Sequence, residues 1–227
     1  SGPRKRYGGK NRAPQTRLAS AAMIRDILFK AKEYARKEKA GESQEFRLEL
    51  AALSRVFDGM PVQMAAMKAN DMETAVRIGE EFGLNYVLTM AYDASQVIRD
   101  LDRKDLRFII GPLYGTSFSV EENGKSLSLG AELEKEGVHA AISTGHPEMN
   151  LEILSTQLIL MTDRGLSRKE AIRGVTAYPA EYMGISSRVG ILEPGKDADL
   201  VIWDGDPLEY DGGVKRLFID GEEIALS

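Results

Sequence analysis

With 227 residues, 43% apolar and 29% charged, the chain has the composition of an ordinary soluble globular protein, long enough for one large domain or two small ones. Its net charge of -5 gives no general case for nucleic-acid binding, and no apolar run approaches the ~20 residues of a membrane helix. Cysteine is absent and the only histidines are His139 and His146, so neither a disulfide scaffold nor a histidine-rich zinc site can be built from this chain alone.

The start is basic and polar, without a signal-peptide pattern, and a cytoplasmic location is the expectation. Arg4, Lys5, Arg6, Lys10, Arg12 and Arg17 crowd residues 1–41. No aromatics are interleaved among them as a nucleic-acid stacking platform would require, so they read as a solvated arm and a basic helix face. Residues 17–40 predict a long helix, because Ala21, Ala22, Ile24, Ile27, Leu28, Ala31 and Tyr34 recur at three- and four-residue spacing. Gly41 breaks it, and a second amphipathic segment covers residues 46–57, with Gly59 after it.

From Pro61 the pattern becomes short apolar runs alternating with amphipathic segments. The runs are residues 62–67, 86–91, 108–111 and 140–144, with helices at about 71–82, 94–104 and 151–164. Asn70 to Glu73 has the form of a capping box, with Asn70 as the cap and Gly83 closing the helix. Ser167 to Glu170 has the same form and opens another helix. Strands buried on both faces, each followed by a helix, imply a parallel sheet with helices outside. Four such units are visible, whereas a closed barrel needs eight strands. The fold class is therefore α/β, a partial TIM-like (β/α) barrel of about four β/α units.

After about residue 187 the texture turns to β. Residues 189–204 read as turn then strand, and residues 214–226 as a hairpin turning at Asp220-Gly221. Three regions follow: a basic segment with helices at 1–60, β/α units at 61–186, and a small C-terminal β portion at 187–227. Asp197 and Asp199 are expected to bond loop amides.

The run Gly190, Leu192, Glu193, Pro194, Gly195, Lys196, Asp197, Ala198, Asp199, Leu200 and Val201, followed by the hairpin, resembles the C-terminal return of the amidohydrolase superfamily. Pro179-Ala180-Glu181 before Met183-Gly184 is similar to the helix preceding that return, and the likeness is strongest to the imidazolonepropionase-like branch. The resemblance implies the C-terminal half of a metal-dependent barrel plus part of a small β-sandwich. It implies hydrolysis of non-peptide C–N bonds, amide or cyclic amide, using zinc or another divalent metal. The metal would polarise the carbonyl and activate water, and a carboxylate would move the proton.

The residues at the matching positions differ. The segment at 61–71 is similar to the fifth strand, and Ala65 and Met67 occupy the positions of its His-x-His. Met90 sits where the sixth strand has histidine, and Gly145 where the eighth has the catalytic aspartate. Ala and Gly have no donor atom, and a methionine thioether suits copper(I) better than hydrolytic zinc. No metal or other cofactor is therefore expected.

Arg17, Lys68, Asn70, Tyr92 and His146 are possible ligand contacts, Met67, Met90 and Tyr92 forming an apolar floor. Lys68 and Asn70 read equally as the cap of the next helix, and His146 also as a hydrogen-bonded rim residue. His139 falls at the N-terminal, stability end of its strand. The loop at 114–125 reads either as a lid or as an ordinary connection. Three functions stay open: a catalytically degenerate homologue or fragment, a hydrolase completed by an upstream segment or partner chain, and a non-enzymatic small-ligand-binding or assembly module. A half barrel exposes two edge strands, which predicts self-association or a complementary half-barrel segment as partner. Neither nucleic acid nor membrane is an expected partner.

Overall fold

A computed structural model describes residues 13–115, 119–147 and 149–226. The basic run at 4–12 and residues 116–118 of the long loop lie outside them.

Helix α1, Arg17–Lys39, starts where Thr16 Oγ1 accepts a hydrogen bond from the Ala19 amide at 3.0 Å, and it ends among Arg36, Lys37 and Lys39. A side-chain cap at one end and cations at the other both suit the helix dipole. The second amphipathic segment is shorter than its pattern suggests. It forms α2, Leu48–Ser54, and a 3-10 turn, Arg55–Asp58, that stops at Gly59.

Four strands follow, β1 Val62–Ala65, β2 Tyr86–Thr89, β3 Phe108–Ile110 and β4 Ala140–Ile142. All neighbours are parallel and the spatial order is the chain order. Between them run α3 (Ala69–Phe82), α4 (Ala94–Leu101) and α5 (Leu129–Lys135), and after β4 come α6 (Leu154–Asp163), α7 (Arg168–Val175) and α8 (Ala177–Tyr182). Each strand stops one or two residues before its apolar run does, because the chain leaves the ladder while still packing on the core.

Side-chain alternation sorts the sheet faces. Leu88, Phe108, Ile110 and Ile142 join the large core with Met72, Val97, Leu133 and Met161 of the helices. Val87, Ile109 and Ala141 point the other way, onto Tyr178 and Tyr182 of α8. On β1 only the helix side is covered, so Gln63 and Ala65 are exposed. The expectation of burial on both faces therefore fails at β1, whose other side is only lightly covered, with Gln63 Nε2 3.6 Å from Met183 Sδ.

The capping box expected at Asn70 does not form. Lys68 is the cap residue and makes no side-chain cap bond, while Asp93 Oδ2, from the turn after β2, accepts from the Ala69 amide at 3.3 Å. A carboxylate from the next unit supplies the cap. At the other end Gly83, with φ +66°, closes α3 with amide bonds from Gly83 to Glu80 O and from Leu84 to Gly79 O, the pattern of a Schellman motif. Ser167 does cap α7, its Oγ accepting from the Glu170 amide at 3.2 Å.

The Glu170 side chain does not reach back but turns inward. It accepts from Tyr178 Oη at 2.8 and 2.9 Å and lies 2.7 Å from His139 Nδ1, while His139 stacks on Tyr178 at 4.9 Å. His139 thus ties the start of β4 to α7 and α8. Burial pushes the Tyr178 hydroxyl up to about 12 from an ordinary 10.0, and that of Tyr182 also upward. A raised folded-state value means stability present below pH 10.0 and lost as the pH climbs through about 12. The urea midpoint should fall across that window, and fall less in Tyr178→Phe; identical profiles for the two proteins would contradict this.

The C-terminal region is one antiparallel sheet, β5 Leu200–Asp204, β6 Gly213–Ile219 and β7 Glu222–Ile224. Asp220 (φ 52°) and Gly221 (φ 81°) make the two-residue turn with both dihedrals positive, as Asp-Gly permits. Asp199 Oδ1 accepts from the Asp220 amide at 2.9 Å. Asp197 departs from expectation, pairing with Arg188 instead of a loop amide. The register puts Val201, Trp203, Val214, Leu217, Ile219 and Ile224 on one face, and the Arg216–Glu223 pair on the other. A second sandwich layer is not found among the described residues.

Candidate functional site

The C-terminal ends of the four parallel strands form the rim where such sheets bind ligands, because the loops there are free to vary over a rigid base. Ala65 closes β1 and is exposed, and Met67 follows, half-buried. Met90 follows β2 with φ 57°. A long non-glycine side chain in that left-handed region carries strain of about 1–3 kcal/mol, and such strain concentrates at functional rims.

Gly145, beyond β4, has φ 67°, and a Cβ built there would stand 2.5 Å from Pro112 Cδ. The Ser143 hydroxyl accepts from the Gly145 amide at 2.9 Å. Behind it, the fully buried Gln157 of α6 joins the ends of β3 and β4. Its Oε1 accepts from the Leu113 amide at 2.9 Å, and its Nε2 donates to Ser143 O at 3.1 Å.

Charges around the rim are paired. Arg17 Nε donates to both Asp71 carboxylate oxygens at 2.6 and 2.9 Å, and its Nη2 lies 3.5 Å from Glu121. Lys68 Nζ lies 3.3 Å from Asp93. Lys125 and Glu122 pair at 2.6 Å, only 7% and 13% exposed, with the Lys125 ammonium 5.4 Å from the Tyr92 ring centroid. The long loop therefore crosses from the β3 end to Tyr92, Asp93 and Arg17. It passes closely there, since a Cβ at Gly124 would lie 2.2 Å from Asp93 Oδ1 and 3.2 Å from Tyr92 Cβ.

The expected contact residues divide. Arg17, Ala65, Met67 and Asn70 border one groove of about 890 Å³, together with Asp71 and Glu121. Lys68 turns to Asp93. Tyr92 is 2% exposed and part of the core, so it presents almost no surface to a ligand. His146 is exposed beside Gly145 and makes no hydrogen bond among the described residues. Sequence reasoning missed Asp93, Gln157 and the Lys125–Glu122 pair. The available signal for Gln157 was one amide on the apolar side of α6.

A parallel sheet with its rim of loops at the strand ends, followed by a small antiparallel sheet, matches the C-terminal architecture of metal-dependent hydrolase barrels. The amidohydrolase family matches residues 30–224, and the chain belongs to that family. The crystal structure of an amidohydrolase from Thermotoga maritima superposes with a TM-score of 0.91 at 33% identity, over 99% of this chain and 60% of that one. Amidohydrolase tasK of Hapsidospora irregularis is 25% identical across 95% of this chain and 24% of its own length. Imidazolonepropionase of Sphingopyxis alaskensis is 38% identical over 81 residues, 34% of this chain and 20% of that protein. The chain thus spans less than two thirds of each relative.

The family typically uses a divalent metal. The rim residues do not fit one. Ala65 and Gly145 bring no donor, Met67 and Met90 bring soft thioethers, and Pro112 fills the space that a side chain at 145 would need. Among the described residues no three of His, Cys, Asp and Glu gather into a set able to hold an ion. No helix among them is long and apolar enough to cross a membrane.

Proposed function

We propose that this chain keeps the amidohydrolase fold as a catalytically degenerate member, a small-ligand-binding or assembly module without metal-dependent C–N hydrolysis. The observation that carries the reading is the chemistry of Ala65, Met67, Met90 and Gly145 at the strand ends. Metal-assisted hydrolysis needs hard or borderline donors and a positioned base, and these four side chains supply neither. The charges that remain, at Arg17, Lys68 and Lys125, are matched by Asp71, Asp93 and Glu122. They suit positioning a ligand or ordering loops.

The groove bordered by Arg17, Met67 and Asn70 is lined mainly by apolar surface with polar and charged side chains among it, the form of a small-molecule cleft. The test is metal retention. The purified chain, dialysed in turn against zinc, manganese and iron and then against metal-free buffer, should hold far less than one ion per chain by elemental analysis. Stoichiometric retention of any of them would overturn the reading and restore a hydrolase completed by other ligands.

A further inference from the structure

The turn in the long loop between β3 and α5 holds the one Asn-Gly pair of the sequence, Asn123-Gly124. The side-chain carbon Cγ of an asparagine is electrophilic, and the next main-chain nitrogen can close a small ring on it. Glycine removes the Cβ that crowds this approach. In a folded chain the reaction is held back when either group is hydrogen-bonded, and here neither is. Asn123 is exposed, its side chain makes no hydrogen bond among the described residues, and the Gly124 amide donates to none of their acceptors. The amides on either side are held, Asn123 to Val120 O at 3.3 Å and Lys125 to Glu122 O at 3.0 Å.

Elsewhere the same chemistry is blocked. Asn85 donates to Gly59 O at 3.0 Å, accepts from Arg107 at 2.7 Å and precedes a tyrosine. Asn150 donates to Glu152 at 3.0 Å and precedes a leucine. Asn70 precedes Asp71, whose amide bonds Lys68 O. In the Asp211-Gly212 and Asp220-Gly221 pairs the glycine amides donate to Glu209 O and Ala198 O. Just after Asn123 the chain is tightly seated. Gly124 lies against Asp93 and Tyr92, and the Lys125 ammonium, only 7% exposed, is paired with Glu122 above the Tyr92 ring.

We propose that Asn123 is a self-modification site, converted through attack by its own neighbour to aspartate and isoaspartate, and that the conversion releases Lys125 from its place at the rim. The Gly124 nitrogen gives its proton to hydroxide and bonds to Asn123 Cγ. The Cγ–Nδ2 bond breaks, and ammonia leaves with a proton taken from water, which restores the hydroxide. Water then opens the succinimide at either carbonyl. Opening at Cγ leaves aspartate. Opening at the main-chain carbonyl leaves isoaspartate, whose chain runs through Cβ and Cγ and is longer by one atom. The balance is one water consumed and one ammonia released, with no oxidant or further reactant. The longer chain cannot keep Gly124 against Asp93 and Tyr92 while Lys125 stays on Glu122. The new carboxylate also joins a turn that already carries Glu121 and Glu122, and like charges favour the same release. The inference stands apart from the metal question, since it rests on amide chemistry within one turn.

The experiment ages the whole chain at mildly alkaline pH and follows it by peptide mapping with mass spectrometry. The peptide holding Asn123 should gain the mass difference of OH for NH2, as two chromatographically separate products, roughly tenfold or more faster than the peptides of Asn85 and Asn150. An isoaspartyl carboxyl methyltransferase should label the isoaspartyl product alone. Trypsin should cut the Lys125–Ser126 bond roughly tenfold or more faster in the isoaspartyl fraction than in fresh protein, where Lys125 is shielded. Asn123→Gln, whose ring would need one more atom, should stay unmodified with that bond protected. Freshly prepared Asn123→Asp supplies the charge without the longer chain and should be cut more slowly than the isoaspartyl form. An Asn123 that stays an amide in folded protein while urea-unfolded protein converts would overturn the site. Equal conversion at Asn85, Asn123 and Asn150 would overturn it as well. Isoaspartate at position 123 with Lys125 still resistant to trypsin would overturn the release.

Discussion

Replacing Gly111 with alanine is expected to destabilise the chain by about 4 kcal/mol or more, among the largest effects a single methyl can have. Gly111 leaves β3 with φ 118°, a conformation that L side chains rarely adopt, and a Cβ there would stand 1.9 Å from Ser143 O. The obstacle is backbone on the neighbouring strand end, not the tip of a flexible side chain. Relief therefore requires β3 and β4 to part at their C-terminal ends, where Ser143 also accepts from Gln157. Urea denaturation of the variant should show a collapsed midpoint or no cooperative transition. A midpoint shift worth less than about 1 kcal/mol would show that the two strand ends are not held as described. Gly145→Ala, facing Pro112 Cδ, meets a side-chain ring instead and should cost less.

Gln157→Leu is expected to lower stability by about 2–4 kcal/mol. The leucine fits the surrounding core in size, but it strands the Leu113 amide and the Ser143 carbonyl, both bonded by this one side chain. Leaving buried polar groups unsatisfied costs more than the bonds themselves contribute. The thermal midpoint of a domain this size should drop on the order of 10 °C. Because Gln157 and Gly111 act on the same Ser143 carbonyl, the double variant should fall short of the sum. An additive result would separate the two contacts. Gln157→Glu gives a sharper comparison, since it keeps the acceptor for Leu113 and loses the donor to Ser143.

Much of the architecture was legible because it rests on short-range pattern. Helix α1 follows from residues at three- and four-residue spacing, and Gly83 and the Asp220-Gly221 turn follow from local backbone preference. The four strands were placed within a residue or two, their ends overrun because Met67, Met90 and Thr144 remain apolar or buried after the ladder stops. Local pattern failed where a distant residue took over. Asn70 has the form of a cap, yet Asp93, more than twenty residues away, bonds the start of that helix. Glu170 has the spacing of a capping box, yet the hydroxyl of Tyr178 and the imidazole of His139 draw it into the interior. At the rim, the sequence marked Arg17, Met67 and Asn70, which do share a groove, and also Tyr92, which the core absorbs. Chemistry could be read from residue types at strand ends; accessibility could not.

The sheet order β1-β2-β3-β4 also has a kinetic side. Each strand pairs with the one just synthesised, so every ladder closes over a single helix and its loops. Each parallel ladder still spans a full crossover, but pairing only sequence neighbours lets a chain emerging from the ribosome add one unit at a time to a growing template. Of these four strands β1 is made first, and its outer backbone groups stay free of β2 to β4 as those are added, an edge on which a chaperone or a wrong partner can act.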